Sequence, residues 1–191
     1  MALSATSRAR FNLSEAQILL LDANNLGMQV LVQVLVGFGA KNLVKASSLP
    51  EAREFIDHHT FDLMIVDSLP DGKGYDFVHW LRRSGLQPNC FAPVLMTAAH
   101  TPEADVAKAR DCGAHFILAK PLTPMAMLER IIWIAREGRQ FVECDVYSGP
   151  DRRFHEDALP EGRAGRRRAD RQPDIAETAA EPAAAEPLKV S

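Results

Sequence analysis

The chain has 191 residues, 47% of them apolar and 25% charged, with a formal net charge of −3. That length and composition suit one ordinary domain plus an extension, and the near-balanced charge excludes a global field for nucleic acid or an anionic membrane. Three cysteines, Cys90, Cys112 and Cys144, are too few and too scattered for a disulfide framework, and none shares ligand spacing with a histidine, so reduced thiols are expected.

Residues 1–15 read as a loose leader, without the apolar stretch of a secretory signal. The most apolar window, Ile18 to Phe38, contains Asp22, Asn24, Asn25, Gln29 and Gln33, which a spanning helix would have to bury in lipid. The expectation is a cytoplasmic protein with no membrane insertion. From Ile18 onward, apolar runs alternate with helix-period segments. Ile18–Leu21, Leu43–Val44, Leu63–Val66, Val94–Met96 and Phe116–Leu118 predict strands buried on both faces of a parallel sheet. Leu26–Phe38 carries helical periodicity, and Ser48-Leu-Pro-Glu51 is a capping box that opens a second helix. Tyr75–Arg83 is a third helix, with Phe77, Val78 and Leu81 facing inward. Thr101-Pro102-Glu103 starts a fourth that ends at Gly113, and Thr123-Pro124 starts a fifth that ends at Gly138.

The pattern is α/β: a doubly wound, flavodoxin-like five-stranded parallel sheet, (βα)5, over residues 16–138. Composition then shifts. Residues 139–171 lose aliphatics and gain arginine, glycine and proline; residues 172–191 are mostly Ala, Pro and Glu and cannot offset their ordering entropy. The expectation is an arm largely disordered without ligand, followed by a disordered tail.

In such sheets chemistry sits at the carboxyl ends of the strands. Asp22 follows the first strand, Asp67 the third, Thr97-Ala98 the fourth and Lys120-Pro121 the fifth. Carboxylates and a lysine converging there would suit a hard cation and a transferable phosphoryl group. The motifs Ile-Leu-Leu-Leu-Asp22, Phe-Asp-Leu-Met-Ile-Val-Asp67, Pro-Val-Leu-Met-Thr97-Ala and Cys-Gly-Ala…Ala-Lys120-Pro121 together resemble the CheY-like receivers of response regulators. The resemblance implies that Asp67 is the phosphoacceptor, that Lys120 contacts the acylphosphate, that Pro121 follows in a cis bond, and that a histidine kinase is a partner.

Several positions depart from that pattern. Receivers carry adjacent acidic residues after the first strand; here the pair is Asp22-Ala23, which leaves Asp22 and Asp67 as the pocket's weak candidates for Mg2+. The loop Ser-Leu-Pro-Asp-Gly after Asp67 is about one residue short. Counting back from Gly113 puts the switch hydroxyl position on Ala98, with Thr97 one place off and Phe116 as the aromatic that would move. Phosphorylation at Asp67 therefore competes with a relic pocket in which Asp67 is a buried partner of Lys120.

The arm carries its own signal. Residues 145–171 hold seven arginines and no lysine, together with six acidic residues. A guanidinium fork matches phosphate oxygens and the N7/O6 edge of guanine, and aspartate can accept from guanine's other edge. Candidate contacts are Tyr147, Asp151, Arg152, Arg153, Arg163, Arg166, Arg167, Arg168 and Asp170, with Tyr147 and Phe154 as stacking surfaces. Arg167-Arg-Ala-Asp170 is an RxxD, which resembles the product-inhibition site of diguanylate cyclases. A receiver followed by GPDRRF and GRRRAD is similar to the Cle proteins, CheY-like effectors of c-di-GMP that act at the flagellar motor. The resemblance implies a non-enzymatic module that binds c-di-GMP through the arm and presents the receiver to a motor switch protein, with recruitment to the flagellar pole. The other readings are a solvated charge run, weak contact of Arg166–Arg168 with nucleic acid, or a single-domain regulator phosphorylated on Asp67; with no DNA-binding output domain in view, DNA is not an expected partner. The histidines show no ligand spacing, and Trp80 and Trp133 read as packing.

Overall fold

The computed structural model describes residues 13–99, 103–136 (side chains from 107), 140–144 and 147–151. The strands are β1 (Gln17–Leu21), β2 (Asn42–Ala46), β3 (Leu63–Asp67), β4 (Val94–Ala98) and β5 (Phe116–Ala119); the helices are α1 (Asn25–Gly37), α2 (Leu49–His58), α3 (Lys73–Arg83), α4 (Glu103–Asp111) and α5 (Pro124–Arg136). All five strands are parallel, in the order β2-β1-β3-β4-β5. The doubly wound sheet expected from the alternating pattern is present.

The period of two along each strand sorts the core into two layers. Leu19, Leu21, Met64, Val66, Val94 and Met96 face Ala52 and Ile56 of α2, Phe77, Val78 and Leu81 of α3 and Ala109 of α4. Ile18, Leu20, Leu63, Ile65 and Leu95 face Met28, Leu31 and Leu35 of α1 and Met127 and Ile131 of α5. A continuous apolar run is therefore a strand with helices on both sides, and each fully buried Leu or Ile contributes about 1.5–3 kcal/mol relative to exposure.

Side chains fix the helix starts. Asn24 Oδ1 accepts from the backbone N–H groups of Leu26 (2.9 Å) and Gly27 (3.2 Å). Ser48 caps α2, accepting from Glu51 N at 3.5 Å. The Glu51 carboxylate reaches one residue further back than the capping box anticipates, accepting from Ser47 N (2.7 Å) and Ser47 Oγ (2.9 Å). These bonds hold its pKa below the ordinary glutamate value, the Ser47 backbone bond most of all.

Two polar side chains inside the core were not legible as such. Asn89 accepts from Phe61 N (2.9 Å) and donates to Ile56 O (2.9 Å) and His59 O (2.6 Å), stitching the segment before β4 to the end of α2. Arg82 donates to Gly113 O (3.0 Å), Cys90 O (2.7 Å) and Ala92 O (2.9 Å). Burial pushes its guanidinium down to about 10, so it stays protonated at neutral pH and is solvated by carbonyls.

The fold continues beyond Gly138. β6 (Phe141–Cys144) and β7 (Tyr147–Pro150) pair antiparallel, and Asp151 N closes the ladder onto Gln140 O at 2.8 Å. The hairpin lies on the receiver. Ser148 Oγ donates to Arg82 O at 3.1 Å, the Arg82 guanidinium sits 5.1 Å from the Phe141 ring centroid, and Phe91 meets Phe141 edge-on at 5.1 Å. Gly113 (φ +94°) and Gly149 pass so closely that a Cβ on Gly149 would lie 2.7 Å from Gly113 Cα. Within the arm, expected to be largely disordered without ligand, the first third is thus a docked hairpin; the rest of the arm from 152 and the tail at 172–191 lie outside the described residues.

Candidate functional site

β1, β3, β4 and β5 end side by side, and their last residues build the site. Asp67 closes β3 and pairs with Thr97 in β4. Thr97 Oγ1 donates to Asp67 Oδ1 at 3.2 Å. Lys120, just past β5, places Nζ 2.6 Å from Asp67 Oδ1 and 2.9 Å from Asp22 Oδ2. Asp67 Oδ2 accepts from Leu69 N at 2.8 Å, and Asp22 Oδ1 from Asn24 N at 2.8 Å. Lys120-Pro121 is cis, as the resemblance implied. Burial drags the Lys120 ammonium down, but the hydrogen bonds and charges of Asp67 and Asp22 together outweigh it, and its pKa lies above the ordinary lysine value.

Glycines let the backbone crowd this edge. A Cβ on Gly27 would overlap the Asp22 carboxylate, and one on Gly74 would overlap the Asp67 carbonyl, so neither α1 nor α3 could start as close with any other residue. The short loop after β3 turns through three left-handed residues, Leu69 (φ 58°), Asp71 (φ 62°) and Gly72 (φ 75°). Positive φ is costly for leucine and aspartate, and here it aims the Leu69 N–H at Asp67.

Asp22, Asp67, Thr97 and Lys120 all reach the site the sequence reading placed them in. The hydroxyl beside Asp67 is Thr97's, one place before Ala98, where the count from Gly113 puts the family's switch position. One detail of that reading is corrected. The movable aromatic is not Phe116. That ring packs on the α1/α5 side, edge-on to Trp133 at 4.8 Å with Arg130 at 5.1 Å, while Ile117 points to the α2–α4 side. Among the arm residues, Tyr147, expected to offer a stacking face, is buried, and its hydroxyl donates to Pro150 O at 2.7 Å. Asp151 ends the hairpin. Arg152, Arg153, Arg163, Arg166, Arg167, Arg168 and Asp170 lie outside the described residues.

This edge, with an acceptor carboxylate, a hydroxyl and a lysine on a parallel five-stranded sheet, is the site of a receiver domain. The chain belongs to the response regulator receiver domain family, whose model matches residues 18–132. It is 29% identical over 133 residues to the transcriptional regulatory protein GltR of Pseudomonas aeruginosa, a match covering 63% of this chain and 52% of that protein, so the chain spans about half the length of this relative. Among solved structures it is similar to a putative response regulator of Chloroflexus aurantiacus (27% identity, TM-score 0.58, 64% of this chain and 98% of that one). It is likewise similar to the chemotaxis protein CheY4 of Vibrio cholerae (25% identity, TM-score 0.56, 62% and 98%).

Receivers customarily hold a divalent cation beside the acceptor, and the donors here do not fit one well. Ala23 supplies no carboxylate, and all four oxygens of Asp22 and Asp67 already accept from an N–H, an O–H or the Lys120 ammonium. Mg2+ asks for near-octahedral oxygen ligands. Among the described residues no three His, Cys, Asp or Glu side chains gather to hold a metal, and no described helix is long and apolar enough to cross a membrane.

Proposed function

We propose that the protein is a c-di-GMP effector in which the arginine-rich arm binds the dinucleotide and the receiver relays the event to a partner, the flagellar motor switch in the reading carried by the Cle resemblance. One observation carries it: a segment with seven arginines and no lysine, including Arg167-x-x-Asp170, runs on from a hairpin clamped to the receiver. Arginine without lysine suits bidentate recognition of phosphate and guanine edges rather than loose attraction to any polyanion. The acidic residues interspersed among the arginines are of no use to a polyanion binder and can accept from guanine. The ligand shifts the protein only by its differential affinity for the state that it binds.

Calorimetric titration of c-di-GMP into the full chain tests this. Arg167→Ala and Asp170→Ala should each weaken saturable binding by roughly 5- to 150-fold, the equivalent of about 1–3 kcal/mol for a lost bidentate contact. Absence of binding by the unaltered chain would return the arm to a solvated charge run.

The gathering of Asp67, Thr97 and Lys120 favours a second reading, phosphorylation of Asp67 by a histidine kinase, the family's usual partner. Incubation with a small phosphodonor and Mg2+ followed by intact mass decides it: an added phosphoryl group that Asp67→Asn abolishes puts this reading first.

A further inference from the structure

We infer that the Asp67 pocket is a cation-independent lock, in which the Lys120 ammonium does the bridging that a divalent ion does in other receivers and ties the ends of β1, β3 and β5 together. The donor inventory is the first reason. Lys120 contacts Asp22 Oδ2 at 2.9 Å and Asp67 Oδ1 at 2.6 Å, one oxygen from each carboxylate. The remaining oxygens, Asp22 Oδ1 and Asp67 Oδ2, are held by the backbone N–H groups of Asn24 and Leu69. A cation would have to share oxygens that already accept from the ammonium or from these backbone donors.

Charge is the second reason. Two carboxylates against one ammonium leave a single negative charge, and Ala23 stands where a further carboxylate would add another. A dication gains little from that site relative to its hydration shell, which Mg2+ gives up reluctantly. The loop after β3 is the third. Leu69, at φ 58° and ψ 162°, adopts a conformation natural only to glycine, and what the strain achieves is an N–H donor, not an oxygen, facing Asp67. Ala23, the short loop and Lys120 thus act in one direction.

The test is a titration of Mn2+ into the full chain, followed by the paramagnetic resonance of the free ion, with Asp67→Asn in parallel. The lock predicts superimposable curves, any bound Mn2+ being held elsewhere, and melting temperatures in which Mg2+ has the same effect on both proteins. An extra ion bound by the unaltered chain and lost in Asp67→Asn overturns the proposal. Ala23→Asp, at an exposed position, should gain a site at least tenfold tighter that Ala23→Asp/Asp67→Asn loses. A folded Ala23→Asp that gains nothing would refute the missing carboxylate as the cause.

Discussion

Replacing Lys120 with methionine keeps the aliphatic stem and removes only the charge that joins the two carboxylates. Asp22 is 1% exposed, Asp67 14% and Lys120 25%, so none of the three is well screened by solvent. The contacts of 2.9 and 2.6 Å put the two carboxylate oxygens at most about 5.5 Å apart. At an effective dielectric of about 20, unit charges at that separation repel by about 3 kcal/mol. Removing one partner of a buried pair commonly costs about 3–5 kcal/mol, and the partial exposure of the lysine places this site near the lower end. Urea denaturation at pH 7 should therefore show Lys120→Met destabilised by about 3 kcal/mol. Asp67→Asn added to Lys120→Met should recover part of that loss by removing the repulsion. The sign on the alkaline side follows from a lysine pKa raised in the folded state: its stabilisation is complete below the ordinary value of 10.5 and disappears as pH climbs through the higher folded value, a loss that Lys120→Met lacks. A Lys120→Met protein within about 0.5 kcal/mol of the parent, with the same pH profile, would refute the lock.

Asn89→Ala strips three hydrogen bonds at once and leaves Phe61 N–H and the carbonyls of Ile56 and His59 without their partner, so urea denaturation should show a loss of about 2–4 kcal/mol; a loss below 1 kcal/mol would mean water replaces the amide. A chain ending at Asp151 should melt like the full chain, whereas one ending at Gly138 should melt several degrees lower, because Arg82 and Phe91 lose the cover of Phe141 and Ser148; equal melting of the two would show that the hairpin adds nothing to the receiver. Glu51, with its pKa depressed by the Ser47 bonds, contributes stability above the ordinary value of 4.5 that is lost as pH falls through its folded value; Glu51→Gln should flatten that acid limb, and an unchanged limb would remove Glu51 from the account.

The sheet was readable because both its faces are covered, which turns each strand into an unbroken apolar run such as Leu63–Val66, and because helix starts carry local chemistry at Ser48 and Thr123. The four residues at the strand ends were readable for the same reason: topology alone brings Asp22, Asp67, Thr97 and Lys120 together. The hairpin was not. Tyr-Ser-Gly-Pro has the composition of a turn, and its strand conformation depends on a fit to Arg82 and Gly113, which lie 66 and 36 positions from Ser148 and Gly149 in the chain. Arg82 and Asn89 were equally hidden, since a polar side chain gives no sign in sequence that backbone carbonyls await it inside.

The departures from the family pattern fall on two opposite edges of one sheet. At the carboxyl ends, Ala23 and Ile117 stand where receivers carry a carboxylate and a movable ring, the strained loop at Leu69 turns an N–H on Asp67, and Lys120 joins the two carboxylates. At the amino ends, Phe91 before β4 and Gly113 before β5 join Arg82 in seating a hairpin that the five-stranded unit does not need for its topology. A relic pocket accounts for the first set and gives no reason for the second. On the function proposed above, an arm whose root is held fixed while its arginines engage a ligand accounts for both, because a receiver that took its signal from such an arm would have no use for a labile carboxylate site and every use for a rigid base.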